Sequence, residues 1–155
     1  MAALGEKTTT DEVLEGVDLT GKVAIVTGAS GGLGAETARA LASKGAAVTI
    51  AARDLTRAQA MADQIKESTG NPNVDVGELE LDKPDRVRAF AKTDLENHNE
   101  LNLLINNAGV MMCPESQTAE GFETQFGTNH LGHFAWTAQL MPALAQGARV
   151  VTLSS

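Results

Sequence analysis

Four glycines, Gly28, Gly31, Gly32 and Gly34, fall within the eight residues TGASGGLG at Thr27 to Gly34. Backbone without side chains can approach a pyrophosphate closely, and the amides that open a following helix can bind it. Ser30 and Leu33, between the glycines, complete the candidate cradle. Alone, such a cluster is a weak signal whose plainer reading is a tight turn without a ligand. About twenty residues further on, where a dinucleotide site discriminates, the chain reads Ala51, Ala52, Arg53. A guanidinium with no acid before it suits the phosphate of NADP(H) over the free ribose of NAD(H). The alternative for Arg53 is a solvated loop cation. Asp54 reads as a helix cap; turned toward the ribose, it would favour NAD.

Other reactive types are sparse. His130 and His133 are spaced to share a helix face, but no third ligand stands at useful spacing, so packing or interface roles outrank a metal. Cys113 is the only cysteine and has no evident activating base, which reads as a spectator thiol. No tyrosine occurs in the chain.

The elements that would position these residues follow from periodicity. Lys22 to Thr27, KVAIVT, is a β-branched run of the kind found in buried parallel strands, and it closes on the glycines. Ala35, Ala38, Leu41 and Ala42 then repeat at helical spacing until Gly45. Ala46 to Ala52 reads as a second strand, and Asp54 caps a helix to about Ser68. Val74 to Leu81, bracketed by Pro72 and Pro84, gives a third strand. Pro84 opens a helix with Val87, Phe90, Ala91 and Leu95 inward. Leu101 to Asn106 is a fourth strand. Helical sequence long enough for two helices runs through Phe126, Leu131, Phe134 and Leu140, and Arg149 to Leu153 is a fifth strand. Alternation of this kind predicts an α/β fold, a doubly wound parallel sheet of Rossmann type. An exposed tail is expected over residues 1–21 and the dinucleotide-binding domain over 22–155.

A length of 155 residues fits one domain, and 43% apolar with 21% charged residues is ordinary globular composition. The net charge of −8 with no basic run argues against nucleic acid. No apolar stretch approaches a membrane span and no signal pattern opens the chain, so a cytoplasmic protein without a membrane partner is expected.

The spacing TGxxxGxG resembles that of the short-chain dehydrogenase/reductase family, and further motifs follow in the family's order. Asn106 to Gly109, NNAG, falls at the end of the fourth strand; Asn107, Ala108 and Gly109 would support the sheet and border the cofactor. TNHLGHF at Thr128 to Phe134 resembles the helix carrying the family's catalytic asparagine, here Asn129. VVTLSS resembles its fifth strand, which would make Ser155 the catalytic serine, and Asp82 matches the acid near the adenine. The resemblance runs from about Asp18 to the end and is confined to the family's N-terminal portion. ARD after the second strand together with NHLGHF looks most like its retinol dehydrogenase and protochlorophyllide reductase members.

The resemblance implies an NAD(P)-dependent oxidoreductase that moves a hydride between nicotinamide and a small alcohol or carbonyl substrate. It also implies a tyrosine and lysine in a YxxxK motif, which this chain lacks. Since general acid–base catalysis is worth about 10²–10⁴-fold, the chain alone is expected to be a very poor enzyme, a Rossmann domain C-terminally incomplete after its fifth strand. The last strand would then be an open edge prone to self-association. The competing reading is a non-catalytic nucleotide-binding or interaction protein derived from the family.

Overall fold

The five apolar runs pair in one sheet. In a computed structural model that describes residues 5–97 and 100–154, they form strands β1 (Val23–Thr27), β2 (Ala47–Ala52), β3 (Val74–Glu78), β4 (Leu101–Asn106) and β5 (Leu144–Thr152). All are parallel, in the order β3-β2-β1-β4-β5. Helices α1 (Thr10–Val13), α2 (Gly32–Ser43), α3 (Leu55–Thr69), α4 (Pro84–Asn97), α5 (Thr124–Phe126) and α6 (His133–Leu140) lie between or before the strands. A π-helical turn over Gly127–Gly132 joins α5 to α6, and a 3₁₀ turn, Met141–Ala143, leads into β5. The doubly wound α/β arrangement expected from the alternation is the one observed.

Alternation along the strands divides the core in two. Ala24, Val26, Val48, Ile50 and Val74 meet Ala38 and Ala42 of α2 and Ala58 and Ala62 of α3 on one side. Ile25, Ala51, Leu101 and Leu104 meet Val87 and Ala91 of α4 and Trp136 and Leu140 of α6 on the other. Phe90 tilts against Trp136 with ring centroids 5.1 Å apart.

The helix signals act as read. Asp54 caps α3 by accepting a hydrogen bond from the Arg57 amide, and Gly70 closes it in the left-handed conformation. Pro84 is the first residue of α4. Three boundaries differ. β3 ends at Glu78, after which Leu79 and Leu81 leave the ladder but stay buried in the second core. β5 begins at Leu144 instead of Arg149, because Leu144 pairs with Leu101. An irregularity at Gly147, in the positive-φ region, absorbs the extra residues before Arg149 pairs with Leu103.

The third difference lies in the expected tail. Residues 5–21 are largely exposed, yet they are not a free tail. Thr9 and Glu12 form a reciprocal capping box that starts α1. The Thr10 hydroxyl then bonds Glu36, and Arg39 reaches Asp11 at 2.9 Å, fixing the segment to α2. Arg39 also donates to Glu36, and that bond first, with the one from Thr10, holds the Glu36 carboxyl at about 2, far below its usual range. Leu19 packs on the first core.

Strand order makes β5 an edge. Val150 and Val151, which point to opposite faces, are 42% and 44% exposed, so neither face is covered there. No helix among the described residues is long and apolar enough to cross a membrane.

Candidate functional site

The carboxyl ends of β1, β2 and β4 open on a cleft of about 290 Å³, at the small end of ligand-site sizes. Its walls include Gly28, Ser30, Arg53, Arg57 and the segment Asn107 to Val110. Such a cleft sits where open parallel sheets bind nucleotides.

The glycines are not interchangeable. A Cβ on Gly28, where φ is +68°, would lie 2.8 Å from the Ala108 Cα. One on Gly34 would lie 2.7 Å from the Gly28 carbonyl oxygen and also crowd Asn107. These two provide clearance between the glycine loop and the turn after β4. Gly32 is also at positive φ, +58°, but faces open space. Gly31 is the N-terminal boundary of α2 with extended backbone and no side-chain cap. The opening amides of α2 are therefore available to an anion, and Leu33, 76% exposed, stands beside them.

Across the cleft, Arg53 is exposed at the end of β2. Asp54 is committed to its cap, which leaves its carboxylate on the α3 amide of Arg57. Arg57, one helical turn beyond Arg53, points back so that its Nη2 stands 3.6 Å from where a Gly31 Cβ would be. Arg57 is a second cation that the sequence marks only by the spacing of two basic residues four apart at a helix start.

The turn after β4 is held from both sides. Thr27 accepts hydrogen bonds on its hydroxyl from the amides of Asn107 (3.0 Å) and Ala108 (2.9 Å), and its carbonyl accepts from the Asn107 side chain at 2.9 Å. On the other side the Asn129 amide group pairs with Val110 in both directions, each bond 2.8 Å. Asn129 thus meets the cleft wall, with its side chain braced against backbone beside Gly109. Asn106 looks away, donating to Thr137 and, at 3.3 Å, to Thr152.

One expected residue stands elsewhere. Asp82, half-buried, lines a neighbouring apolar groove with Leu81, Thr118 and Phe122 instead of the cleft, and its buried Oδ1 has no hydrogen-bond partner among the described residues. Ser155 lies outside the described residues.

The two histidines do not share a face. His130 is exposed and stacks on Phe126 with ring centroids 5.2 Å apart, whereas His133 is 4% exposed. The π turn changes the angle per residue and separates them. Among the described residues no group of three or more His, Cys, Asp or Glu could hold a metal. Met111 and Met112, just past the cleft wall, are 72% and 89% exposed and so are not core.

A family model described as short chain dehydrogenase matches residues 22–155. Retinol dehydrogenase 12 of Mus musculus is 50% identical over 141 residues, 90% of this chain and 45% of its own length. The chain thus spans about half the length of the curated relatives it matches. Among solved structures, an uncharacterized protein from Mycobacterium paratuberculosis superposes with a TM-score of 0.78 at 44% identity, covering 89% of this chain and 47% of that one. A short chain dehydrogenase from Shigella flexneri complexed with NADP gives a TM-score of 0.69 at 28% identity, covering 81% and 54%.

Proposed function

The chain belongs to the short-chain dehydrogenase family, and from that premise we propose that its cleft holds NADP(H) for an oxidoreductase acting on an alcohol or carbonyl compound. The observation that carries this reading is the pairing of Arg53 and Arg57 across from the uncapped start of α2. The α2 amides would take the pyrophosphate, and the two guanidiniums would take a ribose phosphate, outweighing the single Asp54 carboxylate, which is turned to its helix cap. Asn107 to Val110 would form the wall along which the dinucleotide lies.

When bound, the nicotinamide supplies or accepts the hydride. This chain's residues hold and orient it. Proton transfer is a different matter, because Asn129 has its amide engaged with Val110 and His133 is buried in hydrogen bonds of its own. The retinol dehydrogenase relatives point to an apolar alcohol or its aldehyde as the substrate class, and the exposed Met111 and Met112 beside Val110 offer an apolar surface to one.

Titration of the chain with NADPH and NADH tests the reading. NADPH should bind more tightly, and Arg53→Ala or Arg57→Ala should weaken NADPH by about 10- to 100-fold, the worth of one charge-assisted hydrogen bond, while leaving NADH nearly unchanged. Equal loss for both nucleotides would remove the phosphate role, and no binding of either would remove the cleft assignment.

A further inference from the structure

His133 begins α6 directly after the π turn, is almost fully buried, and bridges the π turn and the end of β1. Its Nδ1 lies 2.9 Å from the Asn129 carbonyl oxygen. A carbonyl can only accept, so Nδ1 carries a hydrogen. Its Nε2 lies 2.9 Å from the Thr27 hydroxyl. That hydroxyl already accepts from the Asn107 and Ala108 amides, which uses both of its lone pairs. Only its hydrogen remains. The other acceptor within reach, the Ile105 carbonyl, is 3.5 Å away, beyond good hydrogen-bond length, so the hydrogen goes to Nε2, which must be bare. Counting donors and acceptors therefore fixes one form of the ring, neutral and protonated at Nδ1.

The bonds close a ring. Thr27 holds the turn at Asn107 and Ala108, the turn continues through Gly109 to Val110, Val110 is clasped by Asn129, and the Asn129 carbonyl returns through His133 to Thr27. His133 is the link that ties the π turn to the end of β1. We propose that His133 is a positioning residue, a neutral Nδ1–H imidazole that sets the cleft wall Asn107–Val110 against the glycine loop. The inference rests on the nucleotide reading of that cleft. Burial pushes the imidazole's pKa down, and the Asn129 carbonyl only partly offsets it, in keeping with a ring that stays neutral.

Nitrogen-15 NMR of the labelled chain near neutral pH gives the first test. His133 should show a protonated Nδ1 and a bare Nε2; an Nε2–H tautomer or an imidazolium would overturn the proposal. The second test compares NADPH affinity in two variants. In His133→Asn the side-chain amide can still donate where Nδ1 did, whereas His133→Phe keeps the ring volume and no hydrogen bond. Positioning predicts that the Phe variant loses about tenfold and the Asn variant no more than about threefold, the range of one or two neutral hydrogen bonds. The reverse order, Phe tolerated and Asn impaired, is the signature of plain packing and would overturn the proposal. If the Phe variant does not fold, the tautomer in the unaltered chain and the affinity of the Asn variant still decide. Failure of the unaltered chain to bind NADPH would count against the cleft reading, and the tautomer result would stand apart from it.

Discussion

The two faces of the sheet are built on different principles. On the side of α2 and α3 the helices meet the strands through alanines, Ala38, Ala42, Ala58 and Ala62 against Ala24 and Ala52, with valine and isoleucine between them. On the side of α4 and α6 the contact is made by Trp136, Leu140, Leu101 and Leu104, and it encloses polar groups: Thr27, Asn106 and His133 are all buried there. Small side chains let a helix lie close to the sheet, so the start of α2 is set at a fixed height over the end of β1. Large ones leave spaces of irregular shape, where hydrogen bonds must fix the arrangement. One face therefore fixes the height of the α2 N-terminus by close packing, and the other fixes its wall by a hydrogen-bond ring.

Three changes would break or sharpen that contrast. The largest effect is expected from Trp136→Ala, which empties a fully buried site against Phe90 and should cost about 3–5 kcal/mol in denaturant unfolding. Trp136→Phe should cost far less, because the indole Nε1 has no hydrogen-bond partner among the described residues to lose. Similar losses for both would show that the ring's fit, and not its volume, matters on this face.

On the alanine face the sensitive direction is addition. Ala38→Leu, at a position with no exposed surface, should destabilise by about 1–3 kcal/mol through overpacking and should also weaken nucleotide binding by lifting α2. A neutral melt with unchanged binding would mean that α2 can slide, and the close-packing half of the comparison would fail.

The smallest effect concerns the outer side of α2. Glu36 titrates at about 2 in the folded chain against 4.5 ordinarily, so its contribution is present above about pH 4.5 and is lost as pH falls toward 2. With the Glu36 side chain 44% exposed, solvent screening limits this to roughly 0.2–1 kcal/mol. Unfolding measured across that window should show the loss, and Arg39→Ala should remove most of it. An unchanged pH profile in the variant would deny the tether its electrostatic basis.

Most of the scaffold was legible because buried parallel strands are written as apolar runs stopped by turn residues. Val23–Thr27 and Leu101–Asn106 stand where the sequence puts them. The early start of β5 was not legible, since Ala145, Gln146 and Gly147 read as loop and only pairing of Leu144 with Leu101 draws them into the ladder. In the site, the glycines and Arg53 could be located from spacing, and the segment Asn107–Gly109 from the resemblance of NNAG to the family's motif. His133 could not be interpreted. An i→i+5 turn has no compositional mark, so TNHLGHF looks like regular helix and its two histidines look like neighbours. Asp82 has the family's position in sequence but not a place in the cleft.

The glycine loop carries a warning for reading variation in this chain. Gly28 and Gly34 are spacers between two loops, whereas Gly32 faces open space. A survey of substitutions scored only by nucleotide capture would rank damage at the first two as loss of ligand contact, though the injured part would be the seam between the glycine loop and the turn after β4. Damage there should travel with altered protease sensitivity of that turn. Damage at Gly32 should not, and the two kinds of defect would call for different repairs.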